Sequence, residues 1–112
     1  MGFFMNKFEA VVLLSPELGS QNLKSELDKF RSLITKKDGK IVNEEDWGLR
    51  DLSYNINKFK KAFYSYFQLE ISGYNIDSIK KEINQSENYL RHLFVKVKNH
   101  QELPTKLNHE KK

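Results

Sequence analysis

The stretch from Trp47 to Tyr66, WGLRDLSYNINKFKKAFYSY, does most to limit what this chain can fold into. It reads as two strands of one long hairpin, bent near Gly48 and joined by a basic loop that carries Lys58, Lys60 and Lys61. Beyond the loop, Ala62 to Ile71 alternates. Phe63, Phe67, Leu69 and Ile71 share one face with Ser65, while Tyr64, Tyr66, Gln68 and Glu70 share the other. Before it, Lys40 to Tyr54 has to bend or bulge, because Glu44, Glu45 and Asp46 give way to Trp47-Gly48 partway along.

A hairpin of this kind is stable only against further strands and a covering layer. Phe8 to Leu14 is an apolar, strand-sized run stopped by Ser15-Pro16. Phe8, Ala10, Val12 and Leu14 point one way, and Val11 and Leu13 the other, so both faces of this strand call for cover. Leu23, Leu27, Phe30 and Ile34 lie at i, i+4, i+7 and i+11, the stripe of an amphipathic helix. Ser20 is expected to cap its start and Gly39 to stop it after Lys36 and Lys37, whose charges suit the negative end of the helix dipole. Gly73 breaks the hairpin's second strand, and Ile76, Ile79 and Ile83 mark a second helix ending near Gln85-Ser86. The last strand covers Tyr89 to Lys98. Leu93, Val95 and Val97 hold one parity, His92, Phe94, Lys96 and Lys98 the other, and periodicity does not say which set meets the helices.

The order strand, helix, strand, strand, helix, strand is the ferredoxin-like split βαβ pattern, an α+β fold with two helices on one face of a four-stranded antiparallel sheet. At 112 residues the chain holds one domain, expected over 1–98. From Asn99 to Lys112 it is polar and charged with Pro104 inside, the composition of a tail that is disordered or ordered by partners.

Composition removes several function classes. There is no cysteine, hence no disulfide framework and no thiolate metal site. The histidines, His92, His100 and His109, do not recur at helical ligand spacing, and no metal or cofactor is expected. The opening MGFFMNKFEAVVLL is broken by Asn6, Lys7 and Glu9 and lacks a small-residue cleavage site, which speaks against a signal peptide. No apolar run reaches membrane-spanning length, so a cytoplasmic protein is expected. Net charge is +4, with a pI near 9.2, a balance that leans toward an anionic partner.

The chain carries no Gly-rich phosphate loop, no nucleophile elbow and no Ser placed beside a His. Consecutive Glu44, Glu45 and Asp46 alternate between strand faces and do not converge on one site. An acylphosphatase shares this topology and needs an arginine after the first strand. Here Ser15-Pro16-Glu17-Leu18-Gly19 has none, so an enzyme is not expected. Nucleic-acid binding has more support. Lys58, Lys60 and Lys61 on a hairpin, with Arg50, Arg91, Lys96 and Lys98, offer groups that pair with phosphate, and guanidinium also stacks on bases. The bland reading of the lysines is solvated loop charge. Tyr64 and Tyr66, at i, i+2, resemble the base-stacking pair of an RNA-recognition motif, but that motif's glycines are absent, and cross-strand packing or a protein partner explains them equally well. Trp47 suits an interface anchor and, equally, a cap on the edge of the core.

The run Trp47-Gly48-Leu49-Arg50-Asp51-Leu52-Ser53-Tyr54-Asn55-Ile56-Asn57-Lys58 resembles the signature of the bacterial small-subunit ribosomal protein six family. Phe8-Glu9 in the first strand and Asn88-Tyr89-Leu90-Arg91-His92-Leu93 entering the last are similar to further motifs of that family, and the likeness spans Lys7 to Lys98. The resemblance implies a non-catalytic ferredoxin-like domain in the platform of the small ribosomal subunit. It also implies a heterodimer with small-subunit ribosomal protein eighteen that binds small-subunit ribosomal RNA. Arg50, Lys58, Arg91 and Lys96 match the family's basic positions, and Phe8 and Tyr54 its aromatic positions near the interface. Trp47, Tyr64 and Tyr66 then join Phe8 and Tyr54 as a partner-protein surface. Asp51 stands where many members have a second basic residue, Asn55 replaces a frequent proline, and Phe8 lacks the hydroxyl of the usual tyrosine. The competing reading is a regulatory or self-associating domain that uses the open face of its sheet.

Overall fold

The computed structural model describes residues 6–100; the expected tail from Gln101 onward and the first five residues lie outside the described part. Six elements follow in order: β1 (Asn6–Leu14), α1 (Ser20–Lys36), β2 (Lys40–Ile56), β3 (Phe59–Ile71), α2 (Gly73–Asn84) and β4 (Tyr89–Val97). The strands form one antiparallel sheet in the order β2-β3-β1-β4. This is the ferredoxin-like arrangement that the pattern of elements predicts, with the first strand at the centre.

Burial on the helix side holds the layers together. Phe8, Ala10, Val12 and Leu14 of β1 meet Phe67, Leu69 and Ile71 of β3, and the helices cover them with Phe30, Ile34, Ile76, Ile79 and Ile83. Each large apolar side chain so removed from water contributes about 1.5–3 kcal/mol. The Phe30 and Phe67 rings sit 4.7 Å apart between α1 and the sheet. On β4, Phe94 packs against this core. That settles the open parity question: His92, Phe94 and Lys96 face the helices, and Leu93 and Val95 face away.

Both termini of α1 differ from expectation. Ser20 is the first helical residue, and Gly19, extended at φ −70° and ψ 164°, occupies the cap position with no side-chain hydrogen bond. At the other end the helix stops at Lys36, and the left-handed residue is Asp38 with φ 62°. Gly39 is needed for space. A Cβ there would stand 2.7 Å from Ile71 Cδ1 and 2.9 Å from Ile34 Cγ2, both core atoms, because the Gly39 amide turns in to donate to Ile34 O at 2.9 Å. The start of α2 is conventional: Ser72 Oγ accepts from the Tyr74 amide at 3.2 Å.

The hairpin is longer and tighter than its sequence suggests. β2 runs to Ile56 and β3 starts at Phe59, so Lys60 and Lys61 are strand residues and only Asn57-Lys58 forms the turn. Both turn residues have positive φ, 51° and 75°, which matches the twist of the strands and lets them close on the Ile56–Phe59 pair at the tip.

His92 sits against α2. Its Nε2 lies 3.0 Å from Asn84 Oδ1, its ring meets Phe94 edge-on at 5.7 Å, and its buried Nδ1 has no partner among the described residues. Burial, reinforced by the positive charge of Lys80, holds this imidazole below the usual histidine pKa. The unfolded chain therefore binds a proton that the folded chain resists, so this group's contribution to stability is present above about pH 6.5 and is lost as the pH falls below it.

Two measurements follow from this packing. In urea denaturation, Gly39→Ala is expected to lose about 1–3 kcal/mol as Ile34 and Ile71 are pushed aside; an unchanged midpoint contradicts the close approach. Comparing wild type with His92→Gln between pH 7.5 and 5.5 should show wild type losing stability faster on acidification, and parallel curves would contradict the role given to His92.

Candidate nucleic-acid interface

β2 is continuous in sequence but changes direction at Gly48. The register with β3 slips between Asp46 and Gly48, Gly48 takes φ 76°, and its amide donates to Asp46 Oδ1 at 2.9 Å. A positive φ is accessible to glycine without steric penalty, so the bend falls there. The neighbouring carboxylates are absorbed by local structure. Glu44 takes a forked pair from Arg31 of α1, with Nε and Nη2 at 2.9 Å and 2.7 Å, and Glu45 Oε1 accepts from Trp47 Nε1 at 2.9 Å. They do not converge on one site, as their alternation predicts. Arg31, also bonded to Asp28 at 2.6 Å, has its pKa raised chiefly by the Glu44 hydrogen bonds and is committed to tying α1 to β2.

The bend lays Trp47 over the sheet face away from the helices. Its ring stacks on Tyr66 at 5.3 Å and 9° and on Tyr64 at 6.4 Å and 24°. Trp47 is 8% exposed and Tyr66 2% exposed, so both are largely covered within the chain itself. Beneath them a polar relay fills the sheet: Gln68 Nε2 donates to Tyr66 Oη at 3.2 Å, and Asn43 Nδ2 to Gln68 Oε1 at 3.4 Å. Arg50 lies across the indole, 5.9 Å from its centre, with Nε donating to the Trp47 carbonyl at 2.8 Å.

The aromatic positions separate accordingly. Phe8, which the resemblance puts near an interface, shares the parity of Ala10 and Val12 and is a core residue on the helix side. Tyr64 is half-buried, and Tyr54 is 64% exposed. Two apolar residues not singled out beforehand complete this face: Leu93 and Val95 of β4 are 59% and 44% exposed beside Val11 and Glu9 of β1. Their shared parity was visible in the sequence, but only the packing of Phe94 shows that it points outward.

The basic positions also divide. Lys58 and Lys60 are exposed at the hairpin tip, and Lys61 pairs with Asp51 at 3.6 Å, an exposed contact of little stabilising value. Arg91, on β4, reaches the same arm, with Nη1 donating to Tyr54 Oη at 3.2 Å. Lys96 is aligned with Phe8 and belongs to the helix-facing parity of β4, apart from the others. Among the described residues, no group of three or more His, Asp or Glu side chains is placed to hold a metal ion. The site is a protruding basic arm beside an aromatic and apolar sheet face, suited to binding a polyanion and a protein surface.

Comparison with known proteins accords with this shape. The family model described as ribosomal protein S6 matches residues 7–96. The small ribosomal subunit protein bS6 of Christiangramia forsetii is 34% identical over 96 residues, covering 86% of each chain. That of Pelagibacter ubique is 35% identical over 94 residues, covering 84% of this chain and 78% of its own. The crystal structure of 30S ribosomal protein S6 from Thermotoga maritima superposes with a TM-score of 0.80 at 18% identity, covering 83% of this chain and 88% of that one, and shares the fold. This chain thus belongs to the ribosomal protein S6 family, structural and non-enzymatic components of the small ribosomal subunit.

Proposed function

We propose that this protein binds small-subunit ribosomal RNA in the platform of the subunit as half of a heterodimer with small-subunit ribosomal protein eighteen, aiding assembly and hence translation in the cytoplasm. The observation that carries the RNA reading is the hairpin tip. Lys58 is held at φ 75°, a conformation that costs a non-glycine residue on the order of 1–3 kcal/mol, on an arm that projects its ammonium group away from the core. A glycine would serve the turn better; a lysine serves an anionic partner. Lys60, Lys61, Arg50 and Arg91 extend the positive surface, and Lys96 adds charge on the helix side.

The protein partner is assigned to the sheet face away from the helices, through Tyr54, Tyr64, Leu93 and Val95, with Trp47 and Tyr66 as the stacked base beneath them. Phe8 contributes to that face indirectly, by anchoring β1 from the core. The RNA- and protein-binding domain is assigned to residues 1–98, and residues 99–112 to its polar, charged C-terminal tail. With only a few phosphate contacts, the isolated protein binds RNA weakly and the heterodimer more tightly.

Sucrose-gradient sedimentation of a cell lysate tests the whole reading. The protein is expected to travel with the small subunit, and its recovery as a free species at the top of the gradient at moderate salt would overturn the proposal. Lys58→Gly separates strain from function: it is expected to stabilise the isolated domain by about 1 kcal/mol in urea denaturation. The same variant should lower the slope of log affinity against log salt for RNA by about one. An unchanged salt slope would remove Lys58 from the interface.

A further inference from the structure

Arg91 and Tyr54 belong to opposite edge strands, β4 and β2, with β1 and β3 between them in the sheet. Yet the Arg91 guanidinium carbon lies 5.8 Å from the centre of the Tyr54 ring, and Nη1 donates to Tyr54 Oη at 3.2 Å. The register shows how they meet. Arg91 is aligned with Leu13, Leu13 with Tyr64, and Tyr64 with Gly48, the point where β2 bends. Six residues beyond that bend, Tyr54 has been carried back across the end of the sheet to the far edge. The β2–β3 ladder is irregular between Asp51 and Ile56, so the arm is weakly held by its own pairing along that length, and the Arg91 contact falls within it.

We propose that Tyr54 is a positioning residue: its ring face and hydroxyl hold the Arg91 guanidinium against the bent arm, so that Arg91 and the lysines of the tip meet an RNA backbone as one surface. This rests on the RNA-binding reading above and goes further by naming the residue that sets the geometry. The chemistry suits the role. A guanidinium offers one face to an aromatic ring and still has several N–H donors on its edge, and a phosphate can be forked by two of them. Tyr54 carries no positive charge, so its removal takes away orientation and leaves counterion release intact.

The test has two readouts on the full chain. Amide hydrogen exchange of residues 50–56 in the free protein reports the hold on the arm, and titration of a small-subunit ribosomal RNA transcript with the protein alone at low salt, where the heterodimer face plays no part, reports binding. Tyr54→Ala is expected to speed exchange in the arm by about fivefold and to weaken RNA binding to a similar degree, with the salt slope unchanged. Tyr54→Phe keeps the ring and loses the hydroxyl, so it should shift both by about twofold. As a reference, Lys58→Gln should lower the salt slope by about one and leave arm exchange alone. Unchanged exchange in Tyr54→Ala overturns the proposal, and so does a fall in salt slope as large as that of Lys58→Gln. If Tyr54→Ala does not fold, unchanged exchange in Tyr54→Phe overturns it. Should wild type fail to bind the transcript at all, the RNA reading fails on that result, while exchange in the Tyr54 variants still decides the contact with Arg91.

Discussion

Phe8, Ala10, Val12 and Leu14 leave water only if Phe30, Ile34, Ile76, Ile79 and Ile83 come down on the same side of the sheet. That requirement sets both helices on one face, with β1 and β3 at the centre of the sheet, each flanked by two partners. It also decides, through Phe94, which way β4 turns its side chains. Leu93 and Val95 point away from the helices because Phe94 points toward them, and a period of two allows no other choice.

The opposite face is treated unevenly. Over β3 it is closed from within the chain, where the bend at Gly48 lays Trp47 on Tyr64 and Tyr66 above a hydrogen-bonded Gln68. Burying that glutamine without partners would cost on the order of 1–3 kcal/mol, and the Tyr66 and Asn43 contacts offset this. Over β1 and β4 the face stays apolar and accessible. One sheet face therefore has a rigid aromatic half and an open aliphatic half, the latter fitted to a protein surface.

Charge is divided in a similar way. Glu44, Glu45 and Asp46 are spent on Arg31, Trp47 and the Gly48 amide, so the acidic run belongs to the architecture of the bend. The lysines of the hairpin tip stand clear of it, separated by the length of the arm. Positive charge outnumbers negative on the projecting element, where Asp51 is paired with Lys61, while the acidic run is engaged in the body, which favours approach of a polyanion to the tip.

Much of this was legible beforehand, for reasons of local physics. Period-two and period-3.6 patterns reported the elements, the pair Trp47-Gly48 with its acidic approach marked the bend, and the likeness to a ribosomal family rested on motifs whose order folding leaves unchanged. The misplaced details were those that depend on packing between distant segments. Gly39 looked like a helix stop and proved to be a close approach to Ile71, and Lys60 and Lys61 looked like loop residues until the Asn57-Lys58 turn showed how tightly the strands close. Phe8, put near the interface by the resemblance, and Trp47, open between interface anchor and cap on the edge of the core, are both buried by residues far away in sequence. The sequence by itself determined the elements, their order and the family, because these follow from side-chain periodicity and local motifs. Only the tertiary structure decided which faces are covered and that Arg91 meets Tyr54, because both depend on how far β2 swings at Gly48, an angle set by the whole sheet and by no single stretch of chain.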